Sequence, residues 1–223
     1  MSFFAELQAR TEAGRQYLFA APILQRGTRG AVTRDEYVAF LCQAYHHVKH
    51  TLPLLMATGS RLPDDKEWLR EAIAEYIEEE TGHQEWILND IAACGFDRDK
   101  ARRSAPTFAT EIMVAYAYDT VQRINPVGFF GMVQVLEGTS ILIAENAAQA
   151  IQGALKLPVT AFSYLRSHGA LDQDHIKFFE SLMNRISDPD EQRIIVHAAN
   201  MFYRLYGDVF RSIAAEQALA LAA

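Results

Sequence analysis

The segment from Pro126 to Ala144, PVGFFGMVQVLEGTSILIA, limits most strongly what this chain can fold into. Glu137 is its only ionisable residue. Asn125 followed by Pro126 is a helix N-cap with proline in the first turn, so the sequence predicts a helix that reaches about Gly153. A helix that is apolar on nearly every side is a buried helix. The rest of the chain must therefore pack around this segment.

The remaining sequence carries helix signals and no convincing strand signals. No run of alternating β-branched residues is bounded by turn pairs. The chain's 223 residues are the size of one domain. We therefore predict an all-α fold, a single domain over residues 1–223 with seven or eight helices. Cap and stop residues place the other helices at about 33–59, 63–93, 107–123 and 158 onward, and from Pro189 to about residue 217.

Composition excludes several classes of function. The formal net charge of −7 and the absence of a Lys/Arg-rich tail argue against nucleic-acid binding. No stretch of eighteen apolar residues predicts a membrane span, and the first ten residues do not read as a secretory signal. Cys42 and Cys94 have no motif spacing, as in cytoplasmic thiols. We expect a cytoplasmic protein with neither membrane nor nucleic acid as partner.

A short stretch near the end, YLRSHGALDQDHIKFF, carries the first candidate site. On a helix, Asp172 lies about 40° from His168, and His175 about 20° to the other side. All three side chains would project from one narrow stripe. Such a stripe is a set of metal ligands, a catalytic base with its orienting partners, or a solvated polar edge.

Two further segments supply carboxylates. In EYIEEETGHQEW, Glu80 and His83 are three residues apart, and Glu79 and His83 are four apart. Either pair shares a helix face, as in the Glu-x-x-His ligand pairs of di-iron bundles, although a solvated acidic face is the alternative. Glu137 is the other carboxylate. A lone buried carboxylate is costly unless it is protonated, ion-paired or metal-bound.

The segment YHHVKH adds Tyr45, His46, His47 and His50, of which His47 is predicted to face inward; satisfied core histidines are the alternative. Together, these segments offer imidazoles and carboxylates, which suit iron or manganese, and zinc on ligand type alone. No cysteine pairs accompany them. Two metal ions are indicated because six protein ligands around one ion would leave no open position for chemistry.

Three of these motifs, EETGH, VLEGTS and YLRSHGALDQDH, carry a resemblance to a known family. The chain resembles the haem-oxygenase-like helical superfamily of TenA-type thiaminases and the oxidase that completes pyrroloquinoline quinone. Within that superfamily it is most similar to the di-iron oxidases and oxygenases. The resemblance implies a haem-oxygenase-like bundle, two iron ions (or manganese, or mixed Fe/Mn) and dioxygen activation. The metal ligands that it implies are Glu80, His83, Glu137, His168, Asp172 and His175.

The resemblance has departures that leave alternatives open. Some members take their first carboxylate ligand seven residues before the histidine, where this chain has Tyr76. Others take it from the earlier helix, near the position of His47. Glu79 or His47 could therefore replace Glu80 as a metal ligand. The catalytic cysteine of TenA thiaminases has no counterpart in VLEGTSILIAE, and their substrate-binding Asp matches Ala44. Both absences count against a TenA-like hydrolase.

The resulting hypothesis is a metal-dependent oxidoreductase acting on a small organic acid, amino acid or fatty acid, with dioxygen as co-substrate. The alternatives are a cofactor-independent oxidase, a TenA-like hydrolase and a non-catalytic ligand-binding bundle. Tyr45, His47, His50 and Tyr164 are the candidate catalytic groups on position. A homodimer is expected, since bundles of this kind commonly pair through apolar faces.

Overall fold

The computed structural model describes residues 1–214, apart from the side chains of residues 168–175. In this part of the chain there is no strand, which confirms the all-α prediction. Eight of the α-helices have eleven or more residues, in agreement with a bundle of seven or eight. The α-helices are α1 Phe3–Arg10, α2 Glu12–Phe19, α3 Pro22–Gly27, α4 Arg34–Val48, α5 Thr51–Arg61, α6 Glu67–Glu80, α7 His83–Ala93, α8 Arg98–Arg103, α9 Phe108–Asp119, α10 Phe129–Leu155, α11 Ser163–Arg185 and α12 Pro189–Arg211.

The helix starts that the sequence predicts have their expected caps. The Glu36 backbone N–H donates to Thr33 Oγ1 at 3.1 Å, and the Thr33 N–H donates to Glu36 Oε2 at 2.8 Å, which completes the capping box of α4. Asn125 and Asp188 accept from backbone N–H groups two residues later. These caps satisfy donors that the first helical turn leaves without a partner.

Two long predicted helices are each divided in the structure. The segment that begins at Thr33 is interrupted at residues 49–50, and the segment after Pro63 is interrupted at residues 81–82. The prediction of one continuous helix from Pro63 to Ala93 was therefore wrong. Gly82 has φ +94°, the left-handed conformation that a glycine adopts without strain and that ends a helix. This second break lies inside the predicted Glu80–His83 pair.

Helix α10 is the central element of the bundle. It packs along α11 and α12, and its first turns bury Phe129, Phe130 and Met132. The segment Pro126–Leu155 is long and apolar enough to cross a membrane by length and composition, but 61% of its most apolar window is buried inside the protein. Burial by neighbouring helices accounts for its composition.

Gly131 permits the close approach of α10 and α12. A Cβ atom at this position would lie 2.6 Å from the Ala199 nitrogen and 2.9 Å from the Ile195 oxygen. Because these are backbone atoms, we expect Gly131→Ala to force the helices apart and cost about 1–3 kcal/mol of stability. Urea denaturation would measure this loss.

Gly153 on the same helix is the matched control. It is exposed, and a Cβ there would meet nothing within 4 Å. Gly153→Ala should leave stability unchanged or raise it by up to about 1 kcal/mol, since alanine loses less entropy in a helix. Equal effects of the two substitutions would contradict the packing role of Gly131.

Candidate functional site

An elongated cavity of about 150 Å³ lies in the bundle between α10 and helices from both halves of the chain. Most of its lining is apolar. Among its polar lining residues are four of the predicted site residues or their substitutes: His47, Glu80, Glu137 and Tyr164. Tyr37, Glu36 and Tyr206 also line the cavity, and the sequence did not indicate them as site residues.

Glu80 and Glu137 reach the cavity from different helices. Glu80 is the last residue of α6, and Glu137 lies near the middle of α10. Glu137 is half-buried, and its Oε2 atom is shielded from solvent. The sequence thus identified correctly that this one carboxylate of α10 lies in the protein interior. The structure adds that it faces the same cavity as Glu80.

Tyr76, one turn before Glu80, shows how closely the carboxylates gather. Its side chain is 2% exposed and lines the cavity. Burial raises the pKa of the Tyr76 phenol, and the nearby charges of Glu137, Glu79 and Glu80 raise it further. The phenol therefore remains protonated at neutral pH and is a hydrogen-bond donor among carboxylates.

His83 contacts Glu80 across the break between α6 and α7. Its Nδ1 atom lies 3.0 Å from Glu80 Oε2. The ring is buried and stacks on Trp86 with centroids 4.1 Å apart. The predicted Glu80–His83 pair is therefore formed, although by the turn at residues 81–82 and not by the face of a continuous helix.

His47 lies inside the cavity, as predicted, whereas two other candidates lie elsewhere. The buried His47 ring meets the Tyr206 ring edge-on, with centroids 5.6 Å apart. His50 Nδ1 lies 3.1 Å from the hydroxyl of Tyr118 on α9. The Tyr45 ring faces the Lys49 ammonium at 5.3 Å. Neither His50 nor Tyr45 is among the described residues that line the cavity.

His46 is a buried structural histidine with an expected effect on acid stability. Its Nε2 lies 2.9 Å from Ser104 Oγ and its Nδ1 3.3 Å from Lys49 Nζ. Burial, and then the charges of Lys49 and His50, lower its pKa from 6.5 to about 4. The unfolded chain therefore binds more protons in this range, and folding stability falls as the pH decreases from about 6.5 to about 4.

We expect His46→Gln to remove this part of the acid sensitivity. Between pH 7.5 and pH 5, the parent should lose up to about 2 kcal/mol more stability than the variant. Urea denaturation of both proteins at the two pH values measures the difference. Equal losses in parent and variant would show that His46 protonates freely in the folded state.

Asp90 is a buried carboxylate that positions the start of α11. It is 0% exposed and accepts hydrogen bonds from the Ser163 N–H at 3.0 Å, the Tyr164 N–H at 2.9 Å and the Ser163 hydroxyl. Burial raises the pKa of Asp90, while these hydrogen bonds lower it. Through this contact α7, which begins at His83, holds the turn that places Tyr164 at the cavity.

The sequence contains a signal that Asp90 is buried. Asp90 lies between Ile87 and Ile91, both fully buried, on the inward face of α7. An acidic residue on an apolar helix face indicates a buried partner, here the N-terminus of another helix. Its partner Ser163 is 73 residues away in the chain, so the sequence does not predict which residue Asp90 pairs with.

The stripe of His168, Asp172 and His175 falls on α11, which runs without interruption through these positions. Their side chains lie outside the described residues. Among the side chains that are described, no three from His, Cys, Asp and Glu lie close enough together to hold a metal ion. The predicted six-ligand set is thus described only for Glu80, His83 and Glu137.

Both cysteines are buried, and burial raises the pKa of each thiol to about 12. They are therefore uncharged thiols near neutral pH, whereas the nucleophilic form of cysteine is the thiolate. Neither lies among the described residues of the cavity wall.

Comparison with known proteins identifies the family. A family model described as an iron-containing redox enzyme of the haem-oxygenase type matches residues 38–207. The chain belongs to this family. A domain of unknown function with a haem-oxygenase-like fold from Shewanella denitrificans OS217 is similar at a TM-score of 0.83 and 22% identity, over 96% of this chain and 92% of that chain.

Two other solved structures extend the likeness of this haem-oxygenase-like chain. A TenA homologue from Pseudomonas syringae pv. tomato DC3000 has a TM-score of 0.77 and 11% identity, covering 95% and 91% of the two chains. Haem oxygenase-1 from Synechocystis sp. PCC6803, solved with haem, has a TM-score of 0.74 and 13% identity, covering 97% and 94%. At these identities the likeness shows the fold. No curated protein sequence matches this chain.

Proposed function

We propose that this protein is a non-haem di-iron oxidase or oxygenase that activates dioxygen to oxidise a small organic acid, amino acid or fatty acid. The observation that carries the proposal is that Glu80 of α6 and Glu137 of α10 face one largely apolar cavity, with His83 against Glu80. Costly interior carboxylates are retained where they bind metal or an ionic partner.

The described donors fit an iron centre by their chemistry. Carboxylate oxygens with imidazole nitrogens suit iron, and also manganese or a mixed Fe/Mn pair. His168, Asp172 and His175 would complete the set from α11, which packs along α10, the helix that carries Glu137. Glu79 and His47 are the alternatives to Glu80, since Glu79 also lies near Tyr76 and His47 lines the cavity.

Bound iron would supply dioxygen binding and the electrons for its reduction. The protein's own groups have separable tasks. Glu80 and Glu137 would offset the positive charge of the metal. Tyr76 is kept protonated by burial. Its hydroxyl is suited to donate a hydrogen bond to a glutamate that binds the metal and so to hold the orientation of that glutamate. His47 and Tyr164 are available in the cavity wall to hold or pass a proton, and the apolar lining excludes water.

A cofactor-independent oxidase is the second candidate, because His47 and Tyr164 line the same cavity. A TenA-like hydrolase that uses a thiol is disfavoured by the burial of Cys42 and Cys94. A homodimer, a cytoplasmic location and the absence of membrane and nucleic-acid partners remain expectations from the sequence.

Anaerobic loading with ferrous iron tests the proposal. We expect about two iron ions per chain after desalting, and an optical change when oxygen is admitted. The measurement is repeated with short carboxylic and amino acids present, because a substrate that contacts the metal would strengthen its binding. Oxygen consumption in metal-free protein would support the second candidate, and a folded chain that takes up no iron under any of these conditions would overturn the first.

A further inference from the structure

The cavity is a channel that follows α10. Its wall includes α10 residues from Phe129 to Ile151, about 33 Å of helix, and its volume is about 150 Å³. Glu137 lies near the middle. Toward the C-terminal end of α10 the channel continues as a lobe, here called the α3 lobe, lined by Ile23, Leu24, Val32, Ile143, Ala147 and Ile151.

At the α3 lobe, the α3 region and α10 are in close contact. A Cβ on Gly27 would lie 3.9 Å from Ile151 Cδ1, so this side chain lies close beside α3. A Cβ on Gly30 would lie 2.5 Å from the Ala150 carbonyl oxygen, so the chain after α3 crosses α10 at backbone contact distance. The small side chain of Ala147 leaves the lobe open between Ile143 and Ile151.

The described wall of the channel offers neither lysine nor arginine to a ligand. Its described wall contains Glu36, Glu80 and Glu137 but neither Lys nor Arg, and residues 168–175 and 215–223 include none in their sequence. Arg26 pairs with Glu36 and has a side chain that is 45% exposed. A ligand carboxylate in the lobe would be buried without a lysine or arginine partner, which is costly.

We propose that the α3 lobe binds an unbranched aliphatic segment of the substrate and that Ala147 limits the length of this segment. The polar group of the substrate then lies toward Glu80 and Glu137. That orientation rests on the proposed function, whereas the binding of an apolar chain in the lobe does not. The six residues that define the lobe are all apolar, and Glu36 in the described wall is already paired with Arg26, so a second ionic group of the substrate is disfavoured there.

A homologous series of primary alkanols tests the lobe without metal. In metal-free protein, the affinity from 1-butanol to 1-decanol should rise about fourfold per methylene, the gain for burying one CH₂, until the lobe is filled. Calorimetric titration or displacement of a fluorescent apolar probe gives the dissociation constants. Ala147→Phe should end the rise at least two methylenes earlier, and Ala147→Leu should act in the same direction with less change in volume.

Asn146→Phe is the control, since Asn146 is the exposed neighbour on the same helix. It should reproduce the parent series. Affinity that does not increase with chain length in the folded parent would overturn the proposal. So would an unchanged series in both Ala147 variants when their circular dichroism matches that of the parent.

The matching carboxylic acids separate this inference from the di-iron proposal. In metal-free protein each acid should bind at least tenfold more weakly than the alkanol of equal length. Ferrous iron added anaerobically should recover this loss. A normal alkanol series with no recovery by iron would leave the lobe established and contradict the metal site.

Discussion

Glu137→Ala is expected to abolish stoichiometric iron binding while the protein stays folded. Glu137 supplies an interior oxygen to the cavity from α10, and an alanine there offers the metal no ligand. Loss of a partner that only orients a ligand costs about 10–100-fold in metal affinity, so loss of a ligand should cost at least about 100-fold. Iron per chain after anaerobic loading and desalting measures the effect.

Glu145→Ala is the matched control, because Glu145 is an exposed glutamate of the same helix that only pairs with Gln149 on the surface. It should keep the iron content of the parent. Glu137→Gln should also lose most of the iron with less change in packing. Parent-like iron in both Glu137 variants would remove this residue from the ligand set and leave the acidic cavity to another role.

Asp90→Ala is expected to cause the largest loss of stability among the single substitutions considered, about 2–6 kcal/mol. It leaves the buried N–H groups of Ser163 and Tyr164 without their acceptor, at about 1–3 kcal/mol for each. Urea denaturation at pH 7 measures the loss. Asp90→Asn keeps one acceptor oxygen and should lose less.

Asp97→Ala provides the comparison, because Asp97 caps α8 with two backbone hydrogen bonds at the protein surface. Loss of such an exposed cap costs about 0.5–2 kcal/mol. If Asp90→Ala and Asp97→Ala lose the same free energy of unfolding, the buried cap of α11 is worth no more than an exposed cap, which contradicts the prediction. If Asp90→Ala also lowers iron uptake under folding conditions, the start of α11 matters to the site as well.

The helical architecture was readable from local patterns. Thr33, Asn125 and Asp188 mark helix starts because a short polar side chain caps the turn that follows it, and this depends only on neighbouring residues. The apolar segment with its single Glu137 identified the central helix for the same reason. Helices α1–α3 were not assigned, since helices of eight residues or fewer depend on tertiary packing.

The break at Gly82 was not readable because a glycine within a strongly helical segment is tolerated, and only its φ of +94° in the folded chain ends α6. Among the candidate catalytic groups, the sequence placed His47, His50 and Tyr45 together. The structure directs His47 to the cavity, His50 to Tyr118 and Tyr45 to Lys49. Helix rotation and neighbouring helices decide these directions.

Local sequence therefore determined the helices, their caps and the chemical character of the interior carboxylates, because each depends on residues within a few turns. Only the tertiary structure decided which of these groups share a cavity, how Asp90 joins α7 to α11, and where the α3 lobe ends. Those relations join residues far apart in the chain, such as Asp90 with Ser163 and Gly131 with Ala199. Packing of whole helices sets them, and no short segment contains that information.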